Sequence, residues 1–190
     1  MSWTRAIPET EAGTPVRAIY ERLRARSSHG RVANLWLTCA PDPPALAALA
    51  ALHEALMDDP APLSPAQAEL IAVVVSATNG CGYCVSHHGP RLAAACGDEA
   101  LARAVANDYR EANLAARDRV LLDCAVALSC VSAERTEADI ERLREYGWSD
   151  EAILRGTGIA AYYNLVNRLV SSLGVKLEDG LESWAFGAQK

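Results

Sequence analysis

The run Ser64-Pro65-Ala66-Gln67, followed by a long apolar stretch, constrains the fold of this chain more than any other segment. Ser64 can cap a helix, Pro65 suits the first helical position, and Gln67 completes a capping box. The triplet Val73-Val74-Val75 favours a strand locally. The cap, and the lack of any other convincing strand, favour instead a helix that carries Glu69 and runs to about Ala77. Asn79-Gly80 then stops it, directly before Cys81-Gly82-Tyr83-Cys84.

Similar signals divide the rest of the chain. Val16, Ile19, Tyr20 and Leu23 stand at helical spacing within residues 16–26. An Ala- and Leu-rich helix over 44–57 ends at Asp58-Asp59-Pro60, because the residue before a proline avoids helical angles. A helix is predicted from near Cys81 to about residue 95, closed by Gly97, and Asp98 caps the next to about residue 107. Residues 111–131 read as one long helix with Leu114, Val120, Leu121, Cys124, Ala125 and Leu128 as its buried stripe. Thr136-x-x-Asp139 and Gly147 bracket another, and Ser149 caps the last, over 150–173, ended by Gly174. Residues 1–14 look like an extended arm, 32–39 are ambiguous between helix and extended chain, and the tail from Val175 carries weak signals. Eight or so helices and no credible sheet predict an all-α, single-domain helical bundle, and 190 residues suffice to bury one core. The last two helices have a helix-turn-helix outline; without a basic face they read as scaffold.

The net charge of −6 argues against a nucleic-acid partner, and a single Phe offers little for base stacking. No segment approaches the ~18 apolar residues that cross a membrane. Met1-Ser2-Trp3-Thr4-Arg5 lacks the basic and apolar regions of a secretory signal, so cytoplasmic residence is expected. Stable disulfides are rare in that compartment, and the six Cys are not read as a disulfide framework. Cys39, Cys96, Cys124 and Cys130 read as small core side chains. Helices apolar over more than one face suggest a homo-oligomer of undetermined size.

Cys81 and Cys84 remain. On a helix they share a face with His88, at i, i+3 and i+7. The imidazole can polarise the Cys84 thiol or take its proton, and the helix start favours thiolate at both cysteines. After Cys84 attacks an O–O bond and becomes a sulfenic acid, Cys81 can condense with it. Glu69, from the preceding helix, can orient His88 or pass a proton through water, a triad logic with a resolving thiol added. Other readings of a Cys-x-x-Cys pair stay open. A structural zinc needs four ligands, and the extra candidates here are His87, Cys96 and distant single residues. A c-type haem needs His directly after the second Cys, where Val85 stands, and a thioredoxin-like site needs a βαβ unit. His87 points about 100° from His88 around the helix and reads as an exposed neighbour. His29 and His53 carry no partner signal. Tyr162-Tyr163-Asn164-x-x-Asn167-Arg168 reads as a structural or inter-subunit hydrogen-bond cluster, with a pocket role second.

Glu69, eleven residues, Cys81-x-x-Cys84, three residues and His88 resemble the signature of the alkylhydroperoxidase D family, within the carboxymuconolactone decarboxylase-like superfamily. The segment from Leu63 to His88, Asn164-Leu165-Val166-Asn167-Arg168 and Leu173-Gly174-Val175 are similar to its peroxidase-related branch, so the resemblance covers roughly residues 15–176. It implies an all-helical fold, homo-oligomers and thiol-dependent reduction of hydroperoxides by a dithiol electron donor, with no cofactor or metal. Cys84 then looks like the peroxidatic thiol, Cys81 the resolving thiol and proton donor, and Glu69 with His88 the proton relay. The best-studied members carry His directly before the second Cys, where this chain has Tyr83. Decarboxylating members lack the Cys pair, so that activity is not expected. The alternative is a non-enzymatic protein whose Cys/His cluster binds a metal or senses redox state.

Overall fold

The computed structural model describes residues 2–27, 29–130 and 135–184. Among these residues the regular structure is helical, in the order α1 (Thr14–Ala25), α2 (Asn34–Cys39), α3 (Pro43–Met57), α4 (Pro65–Thr78), α5 (Gly82–Cys96), α6 (Glu99–Asp108), α7 (Ala116–Ser129), α8 (Glu137–Glu145) and α9 (Asp150–Leu173). This is the all-α fold that the sequence predicts. No helix among them is long and apolar enough to cross a membrane.

The capping box forms as expected: the Gln67 amide N–H donates to Ser64 Oγ at 3.2 Å and the Ser64 N–H donates to Gln67 Oε1 at 3.0 Å. The helix it opens, α4, is the centre of the molecule, packed by α5, α9 and α7. Ile71, Val73, Val74 and Val75 are fully buried around its circumference, which explains a helix apolar on every side. The valine triplet's strand preference loses to this burial, each such side chain being worth about 1.5–3 kcal/mol. A second cluster, built from α1, α2 and α3 around Tyr20, Trp36 and Leu46, closes one end.

Three sequence expectations shift. The ambiguous 32–39 stretch is helical as α2. The helix expected over 111–131 starts later, at Ala116, and ends at Ser129. The Arg119 guanidinium takes the carbonyls of Tyr109, Arg110 and Ala112 at 3.1, 2.6 and 2.7 Å, fixing 109–112 as a turn instead of a helical lead-in. Val131, the expected end, lies outside the described residues.

The tail is the third. After Gly174, left-handed at φ 60°, it runs back across α2 and α5. Glu178 and Trp184 are buried there. The Trp184 N–H donates to Ser86 Oγ at 2.9 Å, and the Arg103 guanidinium lies 4.1 Å over its ring. Gly89 makes this seat possible, since a Cβ there would lie 2.2 Å from the Trp184 ring.

Candidate active site

Cys81 is the N-cap of α5 and Cys84 lies one turn inside it. Both are free thiols, buried, with their sulfurs 3.1 Å apart. The C-terminal end of α4 places them. Asn79, which caps α4, donates from Nδ2 to the Oδ1 atoms of Asn164 and Asn167 on α9 at 3.0 and 2.9 Å. Asn167 in turn donates to Ser76 Oγ at 3.0 Å. The Asn164 and Asn167 pair thus forms an intrachain network that fixes the turn between α4 and α5.

The helix start does not favour thiolate equally at the two sulfurs. The Cys84 S–H, together with the backbone N–H groups of Cys84 and Tyr83, pulls Cys81 below the usual thiol range. The neighbouring Cys81 sulfur and burial push Cys84 well above it. The first negative charge on the pair therefore settles at Cys81, and Cys84 holds the shared proton.

His88 is buried on α5 and meets Glu69 from α4, Nδ1 to Oε2, at 2.7 Å. Its Nε2 lies 2.9 Å from the hydroxyl of Tyr163 on α9, and the two rings meet edge to face with centroids 4.8 Å apart. With Nδ1–H donating to the carboxylate, Nε2 is the acceptor and the tyrosine O–H the donor. Burial lowers the His88 pKa and Glu69 only partly offsets it, so the imidazole is neutral at neutral pH. Burial and the Glu69 charge hold the Tyr163 phenol well above its usual range. The direct imidazole–thiol contact expected from the i, i+4 spacing is absent: both ring nitrogens are engaged by Glu69 and Tyr163.

Cys84, His88 and Tyr163 line a cavity of ≈ 130 Å³, and Cys81 does not line it. One wall is a cluster missed in the sequence. Glu178, from the tail, accepts hydrogen bonds from the Asn34 N–H at 2.5 Å, from the Tyr83 hydroxyl at 2.8 Å and from His87 Nε2 at 2.8 Å. Burial raises its pKa, but the His87 contact, with the Asn34 and Tyr83 donors, outweighs burial and holds it down to about 2. Burial and the Glu178 charge raise Tyr83 well above the usual phenol range. His87 is therefore not the exposed neighbour expected from its angle around α5. The tail covers that side of the helix, and His87 faces the cavity.

The lining also includes Trp36, His53 and Tyr162, with the His53 ring 5.8 Å from each of the other two rings. Among the described residues no group of three or more His, Cys, Asp or Glu side chains is arranged to hold a metal ion.

The carboxymuconolactone decarboxylase family profile matches residues 43–108, a span that holds α3 to α6 and both sulfurs. A peroxidase-related protein from Ralstonia eutropha JMP134, with an alkylhydroperoxidase AhpD core, is 32% identical in sequence, superposes with a TM-score of 0.86, and the match covers 95% of this chain and 94% of that one. The chain belongs to the alkylhydroperoxidase D family. A peroxidase-related protein from Silicibacter sp. TM1040 matches this alkylhydroperoxidase D chain at 31% identity, TM-score 0.80, covering 94% and 90% of the two chains. The debrominase Bmp8, in a complex with 2,3,4-tribromopyrrole, shares the fold at 19% identity and TM-score 0.79, over 92% of this chain and 91% of its own. Among curated proteins none matches the sequence. Against the alkylhydroperoxidase D signature, Tyr83 is the departure, and its hydroxyl belongs to the Glu178 wall: it accepts from the Leu35 N–H at 3.2 Å and donates to Glu178.

Of the four residues predicted for the site, the structure joins Glu69 to His88 and Cys81 to Cys84. Tyr163 was legible as a polar residue in an apolar helix, but not as the link to His88. Glu178 and His53 gave no signal, since each meets its neighbours only through long-range contacts.

Proposed function

We propose that this protein is a thiol peroxidase that reduces small organic hydroperoxides and is recycled by an external dithiol. The observation that carries this reading is the order of the two sulfurs: Cys84 lines the cavity, and Cys81 lies 3.1 Å away and outside it. A peroxide entering the cavity meets Cys84 first.

From the fully reduced pair, one proton passes through the Tyr163 hydroxyl to His88 Nε2, Glu69 stabilises the imidazolium, and the proton that remains on Cys84 moves to the Cys81 sulfur as the attack begins. The Cys84 thiolate attacks the outer peroxide oxygen. The O–O bond breaks, the alkoxide takes the proton back from His88 as the alcohol, and Cys84 becomes a sulfenic acid. The Cys81 sulfur then attacks Cys84, hydroxide leaves, and the Cys81 proton completes a molecule of water. Two thiol protons and two electrons are consumed, and the product is the Cys81–Cys84 disulfide. A dithiol donor returns it to the reduced state by exchange. Cys81 suits the resolving role because the start of α5 already stabilises negative charge on its sulfur.

The test uses the reduced protein, an alkyl hydroperoxide and a dithiol. Cys84→Ser is expected to abolish turnover, and Cys81→Ser to accumulate a dimedone-reactive sulfenic acid at Cys84. Turnover by Cys84→Ser at the wild-type rate overturns the proposal.

A further inference from the structure

Three arginines line the cavity, and two of them are occupied. Arg26 donates to Asp58 at 2.5 Å, and Arg31 donates to the Asp179 carbonyl at 3.2 Å. Arg91 has no hydrogen bond or ion pair among the described residues, although it is half-buried. It stands on α5 seven residues beyond Cys84, about two turns along the same face. A half-buried guanidinium without an ion-pair partner leaves its donors free for a ligand in the cavity.

A second group points the same way. His53 Nδ1 is buried and has no hydrogen-bond partner. Burial, then coupling to the His88 ring and the Arg91 charge, push His53 down to about 3, so the ring is neutral and can donate from Nδ1. The Arg91 charge is also felt at His88 and Tyr163, which places the guanidinium within electrostatic reach of the relay. Trp36 and Tyr162 lie near His53 and offer flat apolar surfaces.

We propose that the cavity binds a small carboxylic acid with a flat apolar body, its carboxylate paired with Arg91 and hydrogen-bonded by His53 Nδ1, its body against the aromatic lining that Trp36 and Tyr162 contribute. Resting on the peroxidase reading, this makes the preferred substrate a hydroperoxide that carries a carboxylate at the end remote from the O–O bond. The guanidinium and a neutral N–H together complement a carboxylate, while a neutral amide or ester satisfies neither fully.

Binding is measured without turnover, on the full reduced chain, by calorimetry and by Trp fluorescence, with benzoate and benzamide as probes. Benzoate is expected to bind saturably and about tenfold more tightly than benzamide, as for one charge-assisted hydrogen bond. R91Q should bring the two probes within about threefold of each other, R91K should retain part of the preference, and H53F should weaken benzoate several-fold. Equal binding of both probes by wild type, absence of saturable benzoate binding, or an undiminished preference in R91Q overturns the proposal. In turnover, a carboxylate-bearing aryl hydroperoxide should show a lower KM than its methyl ester, with the difference lost in R91Q. Because Cys84-dependent turnover of tert-butyl hydroperoxide needs no carboxylate, its failure strikes the peroxidase reading alone, and failure of the benzoate preference strikes the subsite alone.

Discussion

The Tyr163 hydroxyl lies 2.9 Å from His88 Nε2, on the ring nitrogen opposite the one held by Glu69. In the proposed relay the proton then passes through this tyrosine before it reaches the imidazole, and both side chains line the cavity. Tyr163→Phe removes the proton path and preserves the ring packing. It is expected to lower kcat for an alkyl hydroperoxide about 100-fold, the range of a lost general acid–base group. Steady-state kinetics with unchanged thermal stability checks this; a kcat within twofold of wild type excludes the relay.

The acid limb of the stability profile draws on His53 and Glu178, with His88, also lowered by burial, acting in the same direction as His53. His53 is lowered from 6.5 to about 3, so the unfolded chain binds its proton first. Stability contributed by the neutral ring is present above pH 6.5 and is lost progressively as pH falls toward 3. Glu178, lowered from 4.5 to about 2, contributes stability above pH 4.5 that is lost as pH falls through 2. Denaturant midpoints should therefore fall between pH 7 and pH 5 in wild type, before Glu178 begins to act. In His53→Phe that early decline should flatten. An equally steep decline in the variant would show that His53 is not its source.

Glu178 satisfies three donors from three parts of the chain: the Asn34 amide, the Tyr83 hydroxyl and His87. Glu178→Ala strands all three in a buried wall. A loss of about 3 kcal/mol is expected, from buried donors left without their acceptor. Chemical denaturation at pH 7 measures it, and a loss under 1 kcal/mol would mean the tail is not held by this residue.

Gly89 is the seat of the Trp184 ring on α5. Gly89→Ala places a methyl inside the ring's contact distance, while the helix itself tolerates alanine better than glycine. The expected result is release of the tail: a red-shifted Trp emission, faster limited proteolysis after residue 175, and a cost of about 1–3 kcal/mol. A proteolysis pattern identical to wild type would show that the ring shifts without leaving α5.

The sequence carried the parts of this site that depend on local chemistry. Ser64, Pro65 and Gln67 announced α4, and Cys81, Cys84 and His88 could be placed on adjoining turns because helical spacing is fixed. Glu69 could be associated with them only as a residue of the preceding helix; its 2.7 Å contact with His88 is tertiary information. What stayed hidden came from pairings across the chain. Glu178 sits in a stretch without periodicity, and its role depends on the tail crossing α5. The burial of His87 has the same origin: an angle around a helix says nothing about what covers that face. Arg119 moved the start of α7 by bonding three carbonyls, a tertiary effect that residue preferences do not encode.

Asn34 and Glu178 meet across 144 positions of sequence. During synthesis both cysteines emerge long before the carboxylate that closes the wall beside them. A ribosome-bound chain that has made α5 carries both thiols of the pair and no chamber, and the long loop between the partners must close before the enclosure exists. Shelter for these sulfurs is therefore among the last properties the growing polypeptide acquires.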